Sequence, residues 1–297
     1  MSGHPSRTST ARLEKICRAQ IDRAPWPDFE AFDASAYPLP LRERAARQWW
    51  RRAREEYGSI HEFTQVAHAL TTLRAPIGVL GALARLIGDE VRHASLCAQM
   101  AEAMLPERAP GEVYDWTPPR APWPAPPSDA AHTLRWAADA VLCSCCIGET
   151  ISRPLFEALA TLVTDPVPQA VVRQILRDEH LHATFGWEAL GWMLGELGEG
   201  DRAWLQGRLA KRLGAFERSC VVGGVTLADL AGEEAVVAPP GPDAPPNLGH
   251  LDARLYAMIF YSTLESEVLP RFAALGFDTD RAWRERGLTR EPDAPST

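Results

Sequence analysis

Prolines fix where this chain can be helical. Eight fall within residues 105–128 (LPERAPGEVYDWTPPRAPWPAPPS), and a second cluster occupies 237–247 (VAPPGPDAPPN). A proline inside a helix removes a backbone hydrogen bond and collides with the preceding turn, so neither stretch can be a regular helix. Elsewhere the sequence is rich in Ala, Leu, Arg and Glu, which favour helices. It has no alternating Val/Ile/Thr runs of useful length and no Asn-Gly hairpin turn. The pattern predicts an all-α chain with long helices at 41–73, 76–104, 129–163 and 167–196. Shorter ones follow at about 200–218, 225–233 and 250–274. Leu73-Arg74-Ala75-Pro76 separates the first pair, and Thr164-Asp165-Pro166 the second, with Asp165 as a cap and Pro166 in a first turn. Pro154 is expected to kink the third helix. Trp26, Phe29, Phe32 and Tyr37 read as apolar anchors of an N-terminal arm.

Composition narrows the class. With 297 residues, 46% hydrophobic and 24% charged, a globular core is feasible, and the length suits one large domain spanning 1–297. In that division residues 41–196 form the core, 1–40 an arm and 197–280 a helical extension. Thirty-one basic against 39 acidic residues give a net charge of −8, which argues against a nucleic-acid partner. No run of about 18 apolar residues occurs, so no membrane span is expected. Met1 to Arg12 lacks the apolar stretch of a signal peptide, and six cysteines are too few for a disulfide scaffold of this size. The expectation is a cytoplasmic protein with reduced thiols.

Two segments carry chemistry: Asp89-Glu90-Val91-Arg92-His93 and Asp178-Glu179-His180-Leu181-His182. Each holds Glu-x-x-His, whose i, i+3 spacing puts a carboxylate and an imidazole on one helix face, able to share a metal ion. One copy arises easily by chance. The second fact is that Glu56 lies 34 residues before Glu90, and Glu149 lies 30 before Glu179. The turn after Leu73 and the turn after Thr164 divide those intervals almost evenly. At about 1.5 Å per residue, each chain runs roughly 20–25 Å out and as far back. Each lone glutamate therefore returns to the level of a Glu-x-x-His pair, in both hairpins.

On these residues, namely Glu56-Tyr57-Gly58-Ser59, Asp89 to Ala94, Gly148-Glu149-Thr150 and Asp178 to Ala183, the chain resembles the ferritin-like diiron-carboxylate superfamily, in its oxygen-activating branch with two such motifs. The resemblance covers about residues 41–196. It implies a ferritin-like four-helix bundle with 105–128 as the long crossover between its hairpins. It also implies six metal ligands: Glu56, Glu90, His93, Glu149, Glu179 and His182. Asp89 and Asp178 lie four residues before His93 and His182 and would hold the second nitrogen of each imidazole. Four carboxylates and two imidazoles suit two iron ions cycling between Fe2+ and Fe3+, with manganese as an alternative. The implied activity is oxidation or oxygenation of a small organic substrate by O2, through a peroxo-diferric species. Electrons would come from an external donor or reductase, because no G-x-G-x-x-G nucleotide fingerprint is present. A homodimer is compatible with this reading. The alternative is an iron- or peroxide-handling protein of the ferroxidase or rubrerythrin kind.

Glu55 and Glu62 are rivals to Glu56 as the first ligand. His61, His68, His132 and His180 read as ordinary helix residues. Cys143-Ser144-Cys145-Cys146 lacks the second cysteine pair a zinc site needs and reads as small packing residues. Tyr57, Trp187, Tyr256 and Tyr261 read as core packing first.

Overall fold

A computed structural model describes residues 25–108, 116–117, 123–220, 225–230, 237–241 and 243–287. The first 24 residues of the expected arm, half of the 105–128 crossover and part of the expected 225–233 helix lie outside these. Among the described residues the structure is all-helical, with no strand. No helix is long and apolar enough to cross a membrane.

Helix α1 (Leu39–Thr72) and α2 (Ile77–Met104) form an antiparallel hairpin. The turn between them carries Arg74 at φ 56°. Helix α3 (Ala130–Ala140) is capped by Asp129, whose side chain accepts from the His132 N–H at 3.0 Å. It runs into a π-helical segment, Val141–Gly148, and on into α4 (Glu149–Leu162). Helix α5 (Pro166–Glu196) starts where expected, with Asp165 accepting from the Val167 N–H at 2.8 Å and Pro166 in the first turn. After it come α6 (Glu199–Cys220), a short 3-10 turn (Leu227–Leu230), α7 (Ala253–Thr263), a second π segment (Leu264–Val268), α8 (Leu269–Ala274) and α9 (Thr279–Glu285). The arm is anchored from residue 25: Phe32 is buried, and the Tyr37 hydroxyl donates to Asp165 at 2.8 Å.

Pro154 does not break its helix. The departure from α geometry lies upstream, where the Glu149 N–H bonds the Ser144 carbonyl five residues back. Close packing holds this segment. At Gly186 on α5, an added Cβ would stand 2.6 Å from the Cys145 carbonyl carbon and 2.7 Å from the Cys146 nitrogen. These are backbone atoms, which cannot rotate away. Gly186→Ala should therefore lower stability by about 1–3 kcal/mol in chemical denaturation, the usual cost of overpacking. A neutral substitution would mean that α5 and the π segment can slide apart.

The apolar side chains form two clusters, and the polar motifs lie between them. One holds Phe63, Leu86, Ile147 and Phe185 with α6 to α9; the other holds Trp49, Ala53, Leu96, Phe156 and Ile175. On α1, α2 and α5 the chain passes from one cluster to the other across Glu56, across Glu90 and His93, and across Glu179 and His182. Glu149, at the start of α4, lies between Ile147 and Ile151 of the first cluster, with Phe156 of the second farther along. A layer of acids and imidazoles is thus enclosed by hydrophobic packing above and below.

Candidate metal centre

Helices α2 and α5 run antiparallel where they meet, because Asp89 faces His182 while His93 faces Asp178. The i, i+3 spacing aims Glu90 and His93 from α2, and Glu179 and His182 from α5, into the same layer. Glu56 from α1 and Glu149 from α4 complete it. Glu90, His93, Glu179 and His182 are buried, with both histidines at 0% exposure.

Two groups of ligand atoms come together: Glu56, Glu90 and His93 in one, and Glu90, Glu149 and His182 in the other. Within each, the atoms lie within 4.8 Å of one another. Glu90 belongs to both. His182 Nδ1 lies 3.1 Å from Glu90 and 3.3 Å from Glu149. His93 Nδ1 lies 3.9 Å from Glu56, and the two imidazole rings are 5.5 Å apart. Glu179 is not gathered into either group. Its buried carboxylate turns toward Ser152, yet it feels the charges of Glu149 and Glu56.

The aspartates do not pair within their own motifs. Asp178 accepts from His93 Nε2 at 3.1 Å, and Asp89 stands 3.7 Å from His182 Nε2. Each aspartate reaches across to the histidine of the other helix. The i−4 spacing puts the aspartate and histidine on one face of a helix. The antiparallel neighbour then brings the partner histidine nearer to that aspartate. Both imidazoles consequently present Nδ1 to the centre.

Two arginines that sequence reasoning missed hold the aspartates. Arg85 binds Asp89 with two nitrogens, at 2.8 and 2.7 Å, and reaches Asp178 at 3.4 Å. Arg92 donates to Asp178 and to the Gln174 carbonyl. Arg85 stands at i−4 from Asp89, a readable ion-pair spacing. The direction of Arg92 depends on the neighbouring helix and carries no sequence signal. Burial opposes ionisation of both aspartates. It is outweighed at Asp89 by the facing His182 and by hydrogen bonds from Arg85, and at Asp178 by His93 and Arg92, so both carboxyls sit below their usual range.

The rivals fall elsewhere. Glu55 pairs with Arg51 at 3.0 Å on the surface, and Glu62 accepts from the Ser144 hydroxyl at 2.6 Å. His61, His68, His132 and His180 are exposed. Cys145 and Cys146 are fully buried, and burial pushes both thiols well above their usual range, so they stay protonated. Tyr57 is 45% exposed and packs on Trp116, while the Trp187 indole donates to Thr150 at 3.0 Å.

The donor set fits divalent iron or manganese: hard carboxylates, two imidazoles and no thiolate. His93 Nδ1, Glu90 Oε2 and Glu179 Oε2 are buried with no hydrogen-bond partner. Buried polar atoms are rarely left so, and a metal ion held by Glu56, Glu90 and His93 would satisfy the first two. Without one, protons take its place. Burial first, then the nearby Glu56 charge, raises Glu90 well above the carboxylate range. Burial likewise raises Glu179, with Glu149 and Glu56 adding to it. His182 is also raised, because Asp89, Glu149 and Glu90 outweigh the cost of burying its charge.

The sign of the pH dependence follows. The folded metal-free chain keeps these protons above 4.5 for the glutamates and above 6.5 for His182, where the unfolded chain has released them. Its stability therefore falls as pH rises through that window. The lowered Asp89 and Asp178 act oppositely, but only below 3.8. Metal must displace the same protons, so loading strengthens as pH rises. Thermal shifts should show the stabilisation by Mn(II) growing from about pH 6 to about pH 8. A metal-induced shift that is flat or shrinks across that range would contradict this account.

Comparison with protein-family models, with curated proteins and with solved structures returned no match.

Proposed function

We propose that this chain is a ferritin-like diiron-carboxylate protein that uses O2 to oxidise or oxygenate a small organic substrate, with electrons from an external donor. The observation that carries the reading is a pair of Glu-Glu-His groups sharing Glu90, backed by two histidines held through opposite aspartates. In this reading α1, α2, α3 with α4, and α5 are the four helices of the bundle. The segment 105–128 is the crossover.

Glu56, Glu90, His93, Glu149 and His182 would hold two metal ions, with Glu179 as the sixth ligand. Two iron ions would supply redox equivalents and open positions for O2. The protein's part is positional and electrostatic. Four carboxylates offset the charge of two divalent ions, so the buried layer is close to neutral when loaded. Asp89 and Asp178 face the Nε2 of each imidazole, which leaves each Nδ1 turned inward as a metal donor. Arg85 and Arg92 keep those aspartates ionised. The two apolar clusters exclude bulk water from the layer.

The test is elemental analysis after anaerobic Fe(II) loading and desalting, followed by O2 uptake with a reductant. About two irons per chain with reductant-dependent O2 consumption is expected. Fewer than about 0.2 iron or manganese per folded chain would remove the metal centre and the function with it. Iron uptake that consumes O2 only once per loading would favour the iron-handling alternative.

A further inference from the structure

Arg52 is a half-buried cation for which the metal centre has no use. It stands one turn before Glu56 on α1, while Cys97 stands one turn after His93 on α2. Because the helices are antiparallel, the two form the next layer beyond the ligands, about 5–6 Å along the bundle. The fully buried Cys97 lies within reach of the Arg52 charge, but burial holds its thiol well above the usual range, so it stays neutral. The guanidinium lies 4.9 Å over the Trp49 ring. Its Nη1 is out of solvent and without a hydrogen-bond partner, and the side chain makes no ion pair among the described residues. Glu55 is engaged by Arg51, and Glu56 turns toward His93.

A strap closes over this layer. The Trp49 indole donates to the Leu248 carbonyl at 2.7 Å. Gly249, at φ +112°, passes so near the same indole that a Cβ would come within 2.7 Å of it. The Asn247 side chain accepts from the Gly249 and His250 N–H groups at 2.9 and 2.8 Å, which pins the loop. His250 feels the Arg44 charge first and then that of Arg52, and its Nδ1 is likewise buried without a partner. Two unpartnered polar atoms, one on a permanent cation and one on the strap, thus lie within electrostatic reach of each other.

A guanidinium cannot shed its proton, and leaving one of its nitrogens unpaired away from water is costly. Its planar fork matches the two oxygens of a carboxylate. We propose that Arg52, assisted by His250, binds the carboxylate of a small organic acid. The acid's identity as the substrate rests on the dimetal reading; its binding does not.

The test is calorimetric titration of the metal-loaded full chain with benzoate and decanoate, each against its primary amide, and with inorganic phosphate. At least one acid should bind about tenfold or more tightly than its amide, as charge-assisted pairing requires. Arg52→Gln should erase that preference while retaining the metal content of the parent chain. If Arg52→Gln does not fold, Arg52→Lys takes its place. It keeps the charge without the fork and should weaken the acid about tenfold. The proposal is overturned if neither acid binds at about 10 mM, if acid and amide bind alike, or if the preference survives both substitutions. Arg52-dependent binding of phosphate in place of either acid would overturn it too. An Arg52-dependent preference in a chain that takes up no metal would leave this site standing and remove the metal reading instead.

Discussion

Glu90→Ala should reduce iron loading from about two ions per chain to below about a tenth of that, whereas Glu56→Ala and Glu149→Ala should each leave roughly half. The asymmetry follows from the shared ligand: Glu90 belongs to both Glu-Glu-His groups, and Glu56 and Glu149 to one each. The same variant should make the metal-free chain more stable, not less. Glu90 is an acid at 1% exposure whose proton affinity is raised by burial and by Glu56. Removing it removes an unsatisfied polar group from the core. Elemental analysis and denaturant titration of one preparation read both effects. Loss of only a single ion in Glu90→Ala would mean that the two groups act independently. A sharp fall in metal-free stability would mean that Glu90 is structural.

Asp178→Ala should have the largest effect on the fold. The Asp178 carboxylate receives Arg92, at 4% side-chain exposure, together with Arg85 and the fully buried His93. Its removal leaves a buried guanidinium without a counter-charge, a defect that costs about 3–5 kcal/mol. Metal affinity should also fall about 10–100-fold, because His93 is no longer held in the tautomer that presents Nδ1. Adding Arg92→Met to Asp178→Ala removes the stranded charge, so it should recover much of the stability and little of the affinity. A double-mutant cycle that restored both together would show that Asp178 acts only through the fold.

The sequence carried the helix boundaries and the level at which the polar residues meet, because both are local. Leu73–Pro76 and Asp165-Pro166 are turn chemistry, and a Glu-x-x-His pair declares its own helix face. Partner choice between helices was not legible. Asp89 and Asp178 are equally well spaced for their own histidines. Only the antiparallel packing of α2 on α5 decides that each serves the other motif. Arg92 is hidden for the same reason, inside a motif whose other residues draw the eye. The π segment left no trace because an i, i+5 bond needs no special residue type. Pro154, the obvious irregularity, drew attention to the wrong turn. Glu179 was expected beside its neighbours and turns instead to Ser152, a side-chain rotation that backbone spacing cannot foresee.

The π segment also bears on how a gene for such a chain can change in length. In a regular α-helix, losing one codon swings every later residue through about 100°. Such a deletion within α4 after Glu149, or within α5 before Glu179, would disturb the helix faces that assemble the centre. Between Val141 and Gly148 the helix already accommodates one residue more than an α turn requires. A one-codon deletion there can be absorbed by tightening the π turn to an α turn, leaving Glu149 aimed as before. This is the stretch of the core where a residue can be lost without re-aiming the chemistry.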